Sequence, residues 1–239
     1  MIIDVRYGDS TAIMATLDAD SVDAVVTDPP YGFRLMGRHW DGGVPGVDAW
    51  AQALRVAKPG AHLLAFGATR TVHRLAVAIE EAGWDIRDTL LWLNDSGIPK
   101  TLRSEYQPIM MARKPMIGRV SVNVEAYGTG ALNLDACRFD DRWPGNVIAM
   151  SKIARLDRDD GADNTHPGVK PTALMTWLCQ LVTPPGGVVL DPFCGSGSTG
   201  RGAIAAGAGR FVGIDQDEEY CEIARRRVAA MLRPMDSFC

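Results

Sequence analysis

Val188-Val189-Leu190-Asp191-Pro192-Phe193-Cys194-Gly195-Ser196-Gly197-Ser198-Thr199-Gly200 reads as a short β-branched strand, a glycine-rich turn and the opening of a helix. Glycines at 195, 197 and 200 spell G-x-G-x-x-G; a helix over 198–206 and a strand over 210–214 follow, with Asp215 at the strand's end. This spacing suits an adenosine-containing cofactor. Glycines let the backbone approach a ligand closely, and a carboxylate at the next strand end accepts hydrogen bonds from ribose hydroxyls. A dinucleotide fits the same pattern, and so does a tight turn with no ligand. Only one strand–helix–strand unit remains between Gly200 and Cys239, so the sheet must be completed by strands from the N-terminal part of the chain.

Those strands are visible upstream. Ile2–Val5 and Val22–Thr27 are β-branched runs, the second stopped by Asp28-Pro29-Pro30. A helix over 47–57 ends at Lys58-Pro59-Gly60, and the apolar run His62–Phe66 follows. Val72, Leu75, Ala76 and Ile79 share one helical face within 69–82, and Trp84–Leu93 looks extended. Near the C-terminus, Leu174, Trp177, Leu178, Leu181 and Val182 mark another helix, and a last one spans 217–231. Strands alternating with helices imply an α/β fold with a mostly parallel sheet covered on both faces. From Asn94 to Thr165 the rhythm fails, and only Pro108–Ala112 and Asn146–Ala149 suggest strands. So long an irregular stretch inside a single domain spanning 1–239 is expected to be a functional insertion.

Composition narrows the class further. With 46% apolar and 23% charged residues in 239, the chain is globular rather than disordered or fibrous. No apolar run approaches the roughly 20 residues of a membrane span, and Met1–Asp4 carries no secretion signal, so a cytoplasmic location is expected. Cys137, Cys179, Cys194, Cys221 and Cys239 form no C-x-x-C pair, which removes support for a metal site. A net charge of −4 excludes a uniformly basic coat protein. Residues 100–158, however, hold 10 Lys and Arg against 6 Asp and Glu, a weak sign of a phosphate-facing side.

Asp28-Pro29-Pro30-Tyr31 is the more informative element. It stands at the C-terminal end of a parallel strand, where open α/β sheets bind ligands, and offers a carboxylate, a proline-flanked carbonyl and an aromatic face. An exocyclic amine on a nucleobase is a weak nucleophile because its lone pair is delocalised into the ring. Two acceptors holding its two hydrogens favour a geometry that frees the lone pair, while the aromatic ring stacks on the base. A plain strand-ending turn would use the same residues.

Together these motifs resemble the amino-group DNA methyltransferases that use S-adenosylmethionine, in the permuted order called the beta class. Asp28-Pro29-Pro30-Tyr31-Gly32 is similar to the catalytic motif, and Asp191-Pro192-Phe193-Cys194-Gly195-Ser196-Gly197-Ser198-Thr199 to the cofactor loop. His166-Pro167-Gly168-Val169-Lys170-Pro171 resembles the segment flanking the methionine side of the cofactor pocket, and Tyr7-Gly8-Asp9-Ser10 the element at its adenine end. The resemblance implies a Rossmann-like methyltransferase fold, S-adenosylmethionine as cofactor and double-stranded DNA as partner. It implies catalytic roles for Asp28, Pro29, Pro30 and Tyr31, and cofactor contacts from Asp9, Lys170, Asp191, Phe193, Gly195, Ser196, Gly197, Ser198, Thr199 and Asp215. Target recognition falls in 94–165. A homodimer and a restriction endonuclease counterpart belong to the same analogy, though no residue specifies either.

DNA contacts are expected from Arg34, Arg38, His39 and Trp40, with Asp41 beside them, and from Lys100 and Arg103. Arg113, Lys114, Arg119, Arg138 and Arg142 are further phosphate candidates. Asp at the first motif position points to N6 of a flipped adenine ahead of N4 of cytosine. Cys194 lacks the preceding proline of a C5-cytosine nucleophile, and His166, before a proline, is read as structural. Two readings of other classes stay open at this point: an NAD-dependent oxidoreductase resting on Gly195, Gly197 and Gly200, and a nucleic-acid-binding module without turnover.

Overall fold

The computed structural model describes residues 1–33, 41–96, 102, 104–150, 155–158 and 163–232. Its centre is an eight-stranded sheet: β1 (Ile2–Tyr7), β2 (Val22–Thr27), β3 (Ala57–Phe66), β4 (Asp85–Ser96), β5 (Ser104–Arg113), β6 (Val147–Ile148), β7 (Val188–Asp191) and β8 (Arg210–Asp215). The spatial order is β1-β8-β7-β2-β3-β5-β4-β6, and every pairing is parallel except those of β5, antiparallel to both β3 and β4. Helices α1 (Ser10–Ala15), α2 (Val47–Val56), α3 (Val72–Glu81), α4 (Val120–Tyr127), α5 (Arg155–Arg158), α6 (Thr172–Val182), α7 (Ser198–Ala205) and α8 (Glu218–Ala230) complete the described chain.

Two-residue periodicity divides the core. Ala24, Val26, Leu64 and Phe66 face the layer built by α6, α7 and α8, while Val25, Leu63 and Ala65 face the layer of Trp50 from α2 and Leu75 and Ile79 from α3. β2 is buried along its whole length, including Asp23, which pairs with Lys58 and accepts from the Val188 N–H. Between β2 and β7 the chain changes direction across the sheet: β3 follows β2 to one side, and β8 follows β7 to the other. The loops after both strands open into the crevice at that switch point, the place where α/β sheets hold ligands.

The expected irregular excursion over 94–165 needs correction. Ten of its residues form β5, wedged between β3 and β4 in the sheet, and others form α4, a one-turn helix at Asp135–Cys137, and β6. Pro108 and the polar opening Ser104-Glu105-Tyr106-Gln107 disguised the strand. Pro108 lies just past Ile109, the last β5 partner of β3, so its missing N–H removes no bond of that ladder. Because β5 is antiparallel, its C-terminal end lies at the far edge from the crevice. Lys114 there donates to Asp20 Oδ1 and the Ala57 carbonyl, both at 2.7 Å, and Arg113 stands beside His62. Arg113 and Lys114 are therefore structural, and their assignment to phosphate contacts is withdrawn. No helix among the described residues is long and apolar enough to cross a membrane.

Candidate active site

The two motif loops meet. Thr27 Oγ1, at the end of β2, donates to Asp191 Oδ1, at the end of β7, at 2.6 Å, joining strands 164 positions apart in sequence. Above that joint opens a cavity of about 320 Å³, bordered by Asp9, Asp28, Tyr31, Lys170, Phe193 and Asp215 among others, within the roughly 300–1,000 Å³ usual for small-molecule sites.

Asp28 and Tyr31 sit in a closed hydrogen-bond cluster. The Tyr31 hydroxyl donates to Asp28 Oδ1 and accepts from Gln107 Nε2 and, at 3.2 Å, from Lys170 Nζ; Lys170 also pairs with Asp28 Oδ2. One donor and two acceptor positions are all a phenol has, so this hydroxyl is saturated. Burial, reinforced by the charge of Asp28, pushes the Tyr31 phenol well above its ordinary range and keeps it a donor. Lys170 is buried and lies 5.0 Å over the Phe66 ring, so its stem is packed as well as its charge paired. Asp41 holds the catalytic loop from below: its Oδ1 accepts from the N–H groups of Tyr31 (2.7 Å) and Gly32 (2.8 Å), and its Oδ2 from Phe33 (3.1 Å). Thr71 Oγ1 donates to the Tyr31 carbonyl at 2.8 Å. Asp41 is buried, which corrects its placement among the DNA-contacting residues: it binds main chain.

The cofactor loop is shaped by burial. Asp191 accepts from Thr27, from Thr199 and, at 3.0 Å, from the Phe193 N–H, yet burial still raises its carboxyl to about 7. Asp215 is likewise raised by burial, although the N–H groups of Gly195 (2.7 Å), Asp217 (2.9 Å) and Gln216 donate to it. A carboxylate offers about four lone-pair sites, so Asp215 keeps room for a hydroxyl donor facing the cavity. Asp9 borders the cavity while capping α1 through the Ala12 N–H at 2.8 Å. Ser198 Oγ accepts from the Lys170 N–H at 3.2 Å, and Ser196 accepts from buried Arg227 through both its carbonyl (2.6 Å) and its hydroxyl (2.8 Å). Gly197 is the exception among the expected cofactor residues. It lies outside the cavity, and a Cβ there would stand 3.0 Å from Ala224 and Val228, so it serves the packing of α8. A Cβ at Gly200 would stand 2.7 Å from Phe211 and Val228. Of the three motif glycines only Gly195 borders the cavity, tucked against His166.

Two residues read as unreactive, His166 and Cys194, border the cavity and are largely buried. Burial lowers His166 to about 4, leaving a neutral ring that accepts from the Gly168 N–H at 3.1 Å and packs edge-on against Tyr220. Burial pushes the Cys194 thiol well above its ordinary range, away from the thiolate a C5 nucleophile requires. Arg34, Arg38, His39, Trp40, Lys100 and Arg103 lie outside the described residues. Arg138 donates to Asp135 and to the Asp141 carbonyl, and Arg142 is exposed. Gln107, Thr71 and Arg227 were missed from sequence: each stands among other polar or charged residues, and no motif singles it out.

A family model described as DNA methylase matches residues 22–226. DNA adenine methyltransferase YhdJ of Escherichia coli (strain K12) is 29% identical over 249 aligned positions, covering 93% of this chain and 81% of that protein. Among solved structures, the M1.HpyAVI–SAM complex superposes with a TM-score of 0.67 at 21% identity, covering 95% of this chain and all of that one. The PvuII DNA methyltransferase, described as cytosine-N4-specific, superposes with a TM-score of 0.72 at 15% identity, over 99% of this chain and 88% of that one.

Proposed function

The chain belongs to the N6/N4 DNA methylase family, and from that premise we propose that it methylates N6 of an adenine flipped out of double-stranded DNA, with S-adenosylmethionine as methyl donor. The observation that carries the reading is the convergence of Asp28, Tyr31 and Lys170 on the cavity that the cofactor loop also borders. When bound, S-adenosylmethionine supplies a methyl group on a positively charged sulfur, so the residues need not generate an electrophile. Asp215 and Asp9 present carboxylates to hydroxyl and amine donors at the nucleoside end, and Phe193 an aromatic ring braced edge-on by Trp50. Asp28 and the Pro29 carbonyl take the two hydrogens of the target amine, aligning its lone pair. Tyr31 offers its ring to the base. Lys170 balances the charge of Asp28, so a neutral base meets a site without an unpaired anion.

Adenine is placed ahead of cytosine on the aspartate that opens the catalytic motif and on the similarity to an enzyme named for adenine methylation. The likeness to the cytosine-N4 enzyme is one of fold. Target recognition is assigned to the part of 94–165 that stands off the sheet, beyond β5. A homodimer and a restriction endonuclease counterpart rest on the family analogy alone. The experiment pairs Asp28→Ala with the native protein, measuring methyl transfer to DNA and calorimetric binding of S-adenosylmethionine. Turnover is expected to vanish while cofactor affinity stays nearly intact; unchanged methylation by the variant rejects the assignment.

A further inference from the structure

We propose that Gln107 is a positioning residue for the catalytic loop, acting through the hydroxyl of Tyr31. This rests on the reading of the preceding section and deepens it. Gln107 is half-buried near the start of β5, paired in register with Trp92 of β4, and its side chain crosses to β2's loop to donate to Tyr31. The direction of that bond follows from chemistry. Asp28 is an anion and the strongest acceptor in the cluster, so the single proton of the Tyr31 hydroxyl goes to it. The oxygen of Tyr31 is then left with lone pairs only, and only a donor satisfies them: Lys170 takes one and the Gln107 amide the other.

The consequence is a fixed hydroxyl. Without Gln107 the Tyr31 oxygen is held by Asp28, three residues away in the same loop, and by Lys170, just ahead of α6, and neither bond ties it to β5. With Gln107 the residue is anchored at both ends, at its carbonyl by Thr71 and at its hydroxyl by β5. The same bond steadies Asp28, whose Oδ1 receives the hydroxyl proton. Gln107 thus sets both the aromatic platform and the acceptor for the amine, while remaining one side chain removed from either.

The test is a double-substitution cycle on the full chain with Gln107→Met, which keeps length and volume but removes the donor, and Tyr31→Phe, which keeps the ring but removes the hydroxyl. Gln107→Met is expected to lower kcat for DNA methylation roughly ten-fold, the order one hydrogen bond supplies, with calorimetric affinity for S-adenosylmethionine within about two-fold of native. In the Tyr31→Phe background the same substitution is expected to have no further effect. A silent Gln107→Met, or a loss equally large in both backgrounds, overturns the proposal, since a merely structural role does not depend on the tyrosine hydroxyl. The cycle is also read in unfolding free energy, where the two substitutions are expected to be non-additive. A native protein that transfers no methyl group fails the preceding section's reading, and the stability cycle still decides whether Gln107 acts through Tyr31: additivity there overturns it.

Discussion

Substituting Gly202 by alanine sets two effects of opposite sign against each other, and the structure decides between them. Gly202 is interior to α7, where alanine gains about 1 kcal/mol of helix propensity over glycine. Its absent Cβ, however, would lie 2.5 Å from the main-chain carbonyl carbon of Met175 and 2.6 Å from the Met175 Cβ, because α7 crosses α6 at this point. Overpacking costs about 1–3 kcal/mol, and a clash with main chain belongs at the upper end because no rotamer change relieves it. The net expectation is a loss of about 2 kcal/mol, or about 4–8 °C in Tm for a chain of this size. Since α6 begins two residues after Lys170, the displacement also reaches the partner of Asp28, and methylation is expected to fall with stability. Urea denaturation followed by tryptophan fluorescence measures it, with the midpoint lowered and the slope unchanged. Gly145→Ala is the control: it is exposed, no atom lies within 4 Å of the added carbon, and the change should stay within about 0.5 kcal/mol. A Gly202→Ala protein as stable as the native one refutes the close helix contact.

Asp191, raised by burial from 3.8 to about 7, binds its proton more tightly folded than unfolded, so it contributes stability at low pH that is lost as pH rises through about 7. Asp191→Asn keeps an acceptor for Thr27 and removes that loss, so the stability gap between variant and native protein should widen in the variant's favour by about 2–3 kcal/mol from pH 5 to pH 8; a flat gap contradicts it. Lys170→Met should depress kcat far more than affinity for S-adenosylmethionine if its main work is to hold Asp28; the reverse split would place its charge on the cofactor. For Asp41, activity should fall in the order native, Asn, Ala. Asparagine retains the oxygen that serves Tyr31 and Gly32, and alanine strands three N–H groups at about 1–3 kcal/mol each; equal activity across the series removes Asp41 as the loop's anchor.

The parallel half of the sheet was legible because burial on both faces writes itself as short β-branched, mostly apolar runs such as Val22–Thr27 and Val188–Leu190, each closed by a proline-containing loop. Both motif loops could be placed at strand ends on that basis. What sequence could not supply was the partner of each polar group. Lys170, expected at the cofactor, borders the cavity and is paired with Asp28, and Asp41, expected at DNA, is found bonded to the main chain of the catalytic loop; contacts across 142 and 10 positions leave no local pattern. β5 was only half visible for a similar reason: Pro108–Ala112 suggested a strand, but the polar residues 104–107 ahead of Pro108 carry no strand pattern, and the ladder to β4 extends the strand through them. Gly197 carried the signature of a ligand loop and serves packing, since tight turns and close helix approach ask for the same residue.

The account stands most directly on the base that carries the product. Purified protein incubated with S-adenosylmethionine and unmethylated genomic DNA, followed by enzymatic digestion to nucleosides and mass spectrometry, is predicted to yield N6-methyladenosine of the deoxy series, and none with Asp28→Ala. Methyl label recovered on cytosine N4, or no methylated nucleoside with the cofactor demonstrably bound, contradicts it.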